Sequence, residues 1–111
     1  MQSFKLKTRD LRPGCREIAV EGELDLAVAG EMQAAIDAVA DSELALVNLE
    51  GCQFIDSTGI ALIVRGHERM AERGARLAVC GASEQVLRVL QISGLTENGL
   101  VFADAEEALS A

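Results

Sequence analysis

The sequence predicts an α/β fold: a mixed, mostly parallel sheet of about five strands with about four helices, in the order β-β-α-β-α-β-α-β-α. Three observations carry this. Short apolar runs rich in Val, Leu and Ile alternate with stretches whose apolar residues recur at helical spacing. Gly74, Gly81 and Gly94 fall where one pattern gives way to the next. The only proline stands in Pro13-Gly14, a turn signal that interrupts no later run. Alternating strands and helices imply parallel pairing, with an antiparallel hairpin at one side.

The elements follow in order. Phe4, Leu6 and Thr8 alternate with Lys5, Lys7 and Arg9, the pattern of an edge strand with a charged outer face. A second short strand covers 17–21, so 4–20 reads as a hairpin, and Gly22-Glu23-Leu24-Asp25 breaks the pattern. Residues 29–40 form a helix with Met32, Ile36 and Val39 on its apolar side. The unbroken apolar run 44–49 is a strand covered on both faces. A second helix follows the Asp56–Gly59 junction and runs to about Arg73, with a stripe of Ile60, Ile63, Val64, His67, Met70 and Ala71; Gly74 stops it. Residues 76–80 are a buried strand, and 84–92 a helix with Val86, Leu87, Val89, Leu90 and Ile92 inward. Residues 100–102 are a last short strand, and 104–110 a helix started by Asp104. Nothing divides the chain, and 111 residues suffice for one core, so 1–111 is expected to be one domain.

Composition narrows the function classes. The chain has no Trp or Tyr and three Phe, so it lacks stacking platforms for single-stranded nucleic acid. Net charge is −8, unevenly spread: Glu17 to Val64 holds ten Asp or Glu and no Lys or Arg. That block repels phosphate backbones and anionic lipid, so nucleic acid and membrane are not expected as partners. It reads either as solvated faces or as a surface steered toward a basic protein. Cys15, Cys52 and Cys80 are odd in number and widely spaced, which indicates reduced, buried thiols rather than a disulfide framework or a zinc site. Residues 1–5 lack a signal-peptide core, and no apolar run approaches a membrane span. A cytoplasmic protein is expected.

Enzyme motifs are missing around every candidate. No GxSxG surrounds Ser57, and neither GxxxxGK[ST] nor GxGxxG occurs. The single histidine, His67, lies ten residues beyond Ser57 on the apolar side of the same helix; that is about 15 Å of rise, too far for a dyad. What remains is Asp56-Ser57-Thr58-Gly59. Asp, Ser and Thr all accept hydrogen bonds from the free amides of a first helical turn, so this is a helix cap. The same free amides and helix dipole suit a phosphate on Ser57, which adds roughly −1.5 to −2 charges. Both readings stand together on the residues alone. With Asp56 next door and no cation in the block, such a phosphate obstructs a partner rather than ordering a loop.

Gly22-Glu23-Leu24-Asp25, Val47-Asn48-Leu49 and Phe54-Ile55-Asp56-Ser57-Thr58-Gly59 resemble the STAS domain of bacterial anti-sigma factor antagonists. Gly74, Val79-Cys80 and Ile92-Ser93-Gly94-Leu95 match in order and spacing, so the resemblance runs from about Phe4 to Ala108. It implies a single STAS-like domain with helices largely to one side of the sheet, no catalytic activity and no cofactor. It implies Ser57 as the phosphoacceptor, with Asp56, Thr58 and Gly59 shaping it and Asp25 beside it, as the partner-binding residues. It implies an anti-sigma factor with serine kinase activity as partner, and a serine phosphatase that reverses the modification. A non-switching scaffold or regulatory module in a sensory or lipid-transport complex is the alternative. The chain departs from the family at Leu26-Ala27-Val28-Ala29-Gly30, where a threonine and often a proline are usual. Val28 and Gly30 lack a capping side chain, so the first helix is expected to start late or fray. Cys52-Gln53 falls where loops of the family vary.

Overall fold

The computed structural model of the chain describes residues 4–111, apart from the side chains of Glu97 and Asn98; the first three residues of the expected domain lie outside it. Five strands form one sheet in the sequential order β1-β2-β3-β4-β5: β1 Lys5–Arg12, β2 Cys15–Leu24, β3 Leu44–Ile55, β4 Arg76–Cys80 and β5 Val101–Phe102. β1 and β2 are antiparallel, as the hairpin reading requires, and the other pairs are parallel. The helices are α1 Ala29–Val39, α2 Ser57–Ala71, α3 Glu84–Ile92 and α4 Ala105–Ser110, and the fold class is the one expected.

The strand order explains where the helices sit. From β2 to β5 the chain steps along the sheet in one direction, and parallel crossovers are right-handed. Three crossovers of one hand in one direction put α1, α2 and α3 on one face. Their apolar stripes meet Ile18, Val20, Val47, Leu49, Leu77 and Val79 of the sheet in the main core. α4 follows the last strand and needs no crossover. Its Ala108 packs on the opposite face, against a smaller cluster with Leu46, Ala78 and Cys80.

Several boundaries differ from the sequence reading. β2 does not end near Glu21, nor β3 near Leu49; both run on to Leu24 and Ile55. What looked like a break is a pair of register shifts, between Ala19 and Glu21 and between Gly22 and Glu23. Gly22 has φ 98°, which a side chain would strain, so the glycine serves a bulge inside the strand rather than its end. On β3 the Asn48 side chain accepts from the Glu50 amide, and Cys52-Gln53 is strand, not loop. The α2 stripe is also rotated from expectation: Leu62 and Gly66 are buried and Ala71 is exposed. Gly66 lies against Leu77 and Ile36, so the helix rolls that way. Ile92 points outward and is 81% exposed, because it lies about 200° around α3 from the buried Leu90. α1 does not start late: it begins at Ala29, directly after a 3-10 turn, Leu26–Val28, capped by Asp25, while Val28 gives α1 no side-chain cap, as expected.

One acid of the 17–64 block is not solvated. Glu17 is 2% exposed and accepts from Arg9 Nε at 2.7 Å and from Asn48 Nδ2 at 3.2 Å. A buried carboxylate needs such partners. Arg9 comes from outside the block, as does Arg69, which pairs with Asp37. Charge that is segregated in sequence is thus partly mixed in space. No helix among the described residues is long and apolar enough to cross a membrane.

All three cysteines are free and buried. Burial raises each thiol above its ordinary range, and Cys80, near the acids Glu17, Glu50 and Asp104, is pushed up to about 12. Native protein at pH 8 is expected to react slowly with a disulfide thiol reagent, and denatured protein promptly at all three positions. The folded pKa of Cys80 exceeds the unfolded 9.0, so its contribution to stability is full below that value and falls as pH rises toward about 12. Prompt labelling of native protein would contradict this burial.

Candidate functional site

β2 and β3 end side by side, Leu24 opposite Ile55, and both chains turn there into helical segments. The Asp56 amide donates to Leu24 O at 3.2 Å, which fixes the turn into α2 against the end of β2. At this end of the sheet stand all five residues singled out in the sequence: Asp25, Asp56, Ser57, Thr58 and Gly59.

Asp56 is the helix cap. Its backbone is extended, its Oδ1 accepts from the Gly59 amide at 3.0 Å, and its carbonyl accepts from Ile60 N at 3.1 Å. Its Oδ2 accepts from the Leu26 amide at 3.2 Å. One carboxylate thus ties the first turn of α2 to the turn that precedes α1. Asp25 does the same work for its own turn, accepting from Ala27 N at 3.0 Å. The sequence left the cap open between Asp56 and Ser57; here it falls to Asp56. Ser57 is the first residue of α2, exposed, and its hydroxyl has no hydrogen bond among the described residues. The amides of Ser57 and Thr58 are likewise without an acceptor among the described residues, as first-turn amides are. Thr58 is half-buried.

Gly59 is required for this close fit. A Cβ there would lie 2.8 Å from Ile55 Cγ1 and 2.9 Å from Leu24 O, so any larger residue pushes α2 off the end of the sheet. No Lys or Arg pairs with Asp25 or Asp56 among the described residues. Exposed apolar side chains border the junction, and the sequence reading missed them: Leu26 is 73% exposed and Phe54 42%. For Leu26 the available signal was its place directly after the capping Asp25. For Phe54, in an apolar pair with the buried Ile55, there was none.

Other features do not join this site. His67 is half-buried on α2, with Nδ1 unpaired among the described residues. A cavity of about 500 Å³ lies at the other end of the sheet, beside Arg12, Arg16 and Ser42. Among the described residues no group of His, Cys, Asp or Glu has the arrangement of a metal site. The junction therefore offers an exposed hydroxyl, two free amides and a fixed carboxylate.

Asp56→Ala removes the acceptor for two amides and is expected to lower stability by about 1–2 kcal/mol. Gly59→Ala is expected to cost about 1–3 kcal/mol through overpacking. Urea denaturation of each variant measures both, and wild-type stability in either would contradict the geometry described.

The sequence matches the STAS domain family over residues 8–108. It is 27% identical over 97 residues to the anti-sigma-B factor antagonist of Listeria monocytogenes, covering 86% of this chain and 83% of that one. The fold resembles the unphosphorylated form of the anti-sigma factor antagonist SpoIIAA with a TM-score of 0.78 at 25% identity, covering 96% of this chain and 93% of that one. An anti-sigma factor antagonist from Mycobacterium paratuberculosis superimposes with a TM-score of 0.88 at 21% identity, covering 97% and 92%, and supports the fold alone. With a family match spanning most of its length and the sheet order, helix placement and junction already described, this chain belongs to the STAS domain family.

Proposed function

We propose that this chain is an anti-sigma factor antagonist acting by partner switching in the bacterial cytoplasm. Unphosphorylated, it binds an anti-sigma factor that is also a serine kinase, and sigma factor is released. Phosphorylation of Ser57 ends the binding, and a serine phosphatase restores it. The chain itself is a regulatory binding protein, not an enzyme, and ATP belongs to the kinase.

One observation carries the reading: Asp56 holds the helix cap, which leaves the Ser57 hydroxyl exposed and uncommitted. Relatives named as anti-sigma factor antagonists support the choice of partner. Asp25, Asp56, Thr58 and Gly59 shape the surface around the hydroxyl. Electrostatics supports the direction of the switch. A phosphoryl acceptor must face the nucleotide's terminal phosphate in the kinase site. A phosphate already on Ser57 meets like charge there, and Asp56 beside it offers no compensation. The free amides of Ser57 and Thr58 offset only part of the added charge.

Incubation with candidate serine kinases and ATP, followed by intact mass and peptide mapping, tests the site. One phosphate on Ser57 is expected, and none in Ser57→Ala. Ser57→Asp is expected to bind the kinase at least about tenfold more weakly, which is about 1.4 kcal/mol. Stoichiometric phosphate in Ser57→Ala would move the site elsewhere, Thr58 included. Undiminished binding by Ser57→Asp would favour a non-switching scaffold.

A further inference from the structure

We infer that the partner is gripped by two apolar anchors, Leu26 and Phe54, set in an acidic rim. The protein face that fits them is an apolar socket bordered by Lys and Arg. This rests on the reading of Ser57 as the switch and adds the chemistry that selects the partner.

Among the described residues three large apolar side chains are exposed: Leu26, Phe54 and Ile92. Two of the three adjoin the Ser57 junction. Leu26 has its amide on Asp56 Oδ2 and sits in the 3-10 turn that Asp25 caps. Its backbone is therefore held on both sides while its side chain faces solvent. Phe54 is on β3 two residues before Asp56, opposite Glu23 of β2. Strand alternation turns it away from buried Ile55, onto the sheet face opposite α1, α2 and α3. Rigidly mounted apolar side chains lose little freedom on binding, which is what an interface anchor requires.

The rim is acidic. Glu21, Glu23 and Glu50 are exposed on β2 and β3, and none is ion-paired among the described residues. Asp25 and Asp56 extend the same charge to the junction. Such a field steers a cationic face and speeds association, while the apolar centre governs dissociation. Cations at the rim meet these acids; the nucleotide phosphate opposite Ser57 meets the hydroxyl. The two are compatible because they occupy different parts of the interface. Ile92 supplies an internal control. α3 starts beyond the end of β4 and returns toward the end where the parallel strands begin, so Ile92 is exposed away from the junction.

The test is surface plasmon resonance of the full chain, at several salt concentrations, against the anti-sigma serine kinase that phosphorylates it. Leu26→Ala and Phe54→Ala are each expected to raise Kd about tenfold or more, through faster dissociation. Ile92→Ala is expected to stay within about twofold of wild type, as a residue outside the interface does. The double variant Glu21→Gln, Glu23→Gln is expected to associate more slowly and with a flatter salt dependence. Circular dichroism and Tm confirm that each variant is folded. Unchanged Kd in both anchor variants overturns the anchors and leaves Ser57 as the switch. Salt-independent association of wild type overturns the acidic rim. Absence of both binding and Ser57 phosphate removes the underlying reading, and this inference with it.

Discussion

Two amide hydrogens, one from the turn before α1 and one from the first turn of α2, converge on the Asp56 carboxylate. The first donor, Leu26, lies thirty residues from Asp56 in the chain, and the second, Gly59, three. Each would otherwise be an orphan donor at the start of a helical segment, and one short side chain satisfies both. The rest of the functional end depends on this. The bridge sets the spacing between the two helix starts, holds Leu26 at the surface and frees Ser57 from capping. Gly59 permits it, because only a residue without a side chain lets α2 approach Leu24 so closely.

The arrangement separates two demands that a serine at a helix start would otherwise have to meet alone. A capping hydroxyl is committed to a backbone amide, and modifying it would weaken the helix. With an aspartate as cap, the next residue can carry or lose a phosphate while the helix keeps its acceptor. In the proposed switch, a local change in charge would read out at the surface and leave the fold intact. This suits a protein whose two forms must both be stable and must differ in what they bind.

Much of this was legible in the sequence. The order of elements followed from periodicity, and the parallel sheet from alternation, because those signals reflect burial that each segment decides locally. The Asp56-Ser57-Thr58-Gly59 junction stood out because acid, hydroxyls and glycine interrupt an apolar run. Which of Asp56 and Ser57 makes the cap was not legible, since both residue types cap equally well and the choice depends on where β3 ends. Nor were the long strands: Gly22 read as a break and Leu49 as the end of an apolar run, although a bulge carries β2 past its partner and the ladder continues. The partners of Glu17 and Asp37 come from distant positions, Arg9 and Arg69, so charge blocks along the chain misjudge charge in space. Exposure of Leu26 was hidden for the opposite reason: the residue is apolar, and only the capped turn beneath it turns it outward.

The sequential strand order has a kinetic consequence. Every strand pairs with the strand made just before it, so no pairing waits for a distant part of the chain. After the tight β1–β2 turn, each parallel connection carries one helix and is of similar length, so no single loop closure dominates the entropic barrier. The chain can therefore assemble in the direction of its synthesis. The Leu26–Asp56 bridge needs only the first half of the chain and the opening turn of α2. The surface proposed to meet the partner is thus drawn from the part of the polypeptide that leaves the ribosome first, while β5, two residues long, closes the sheet at the end.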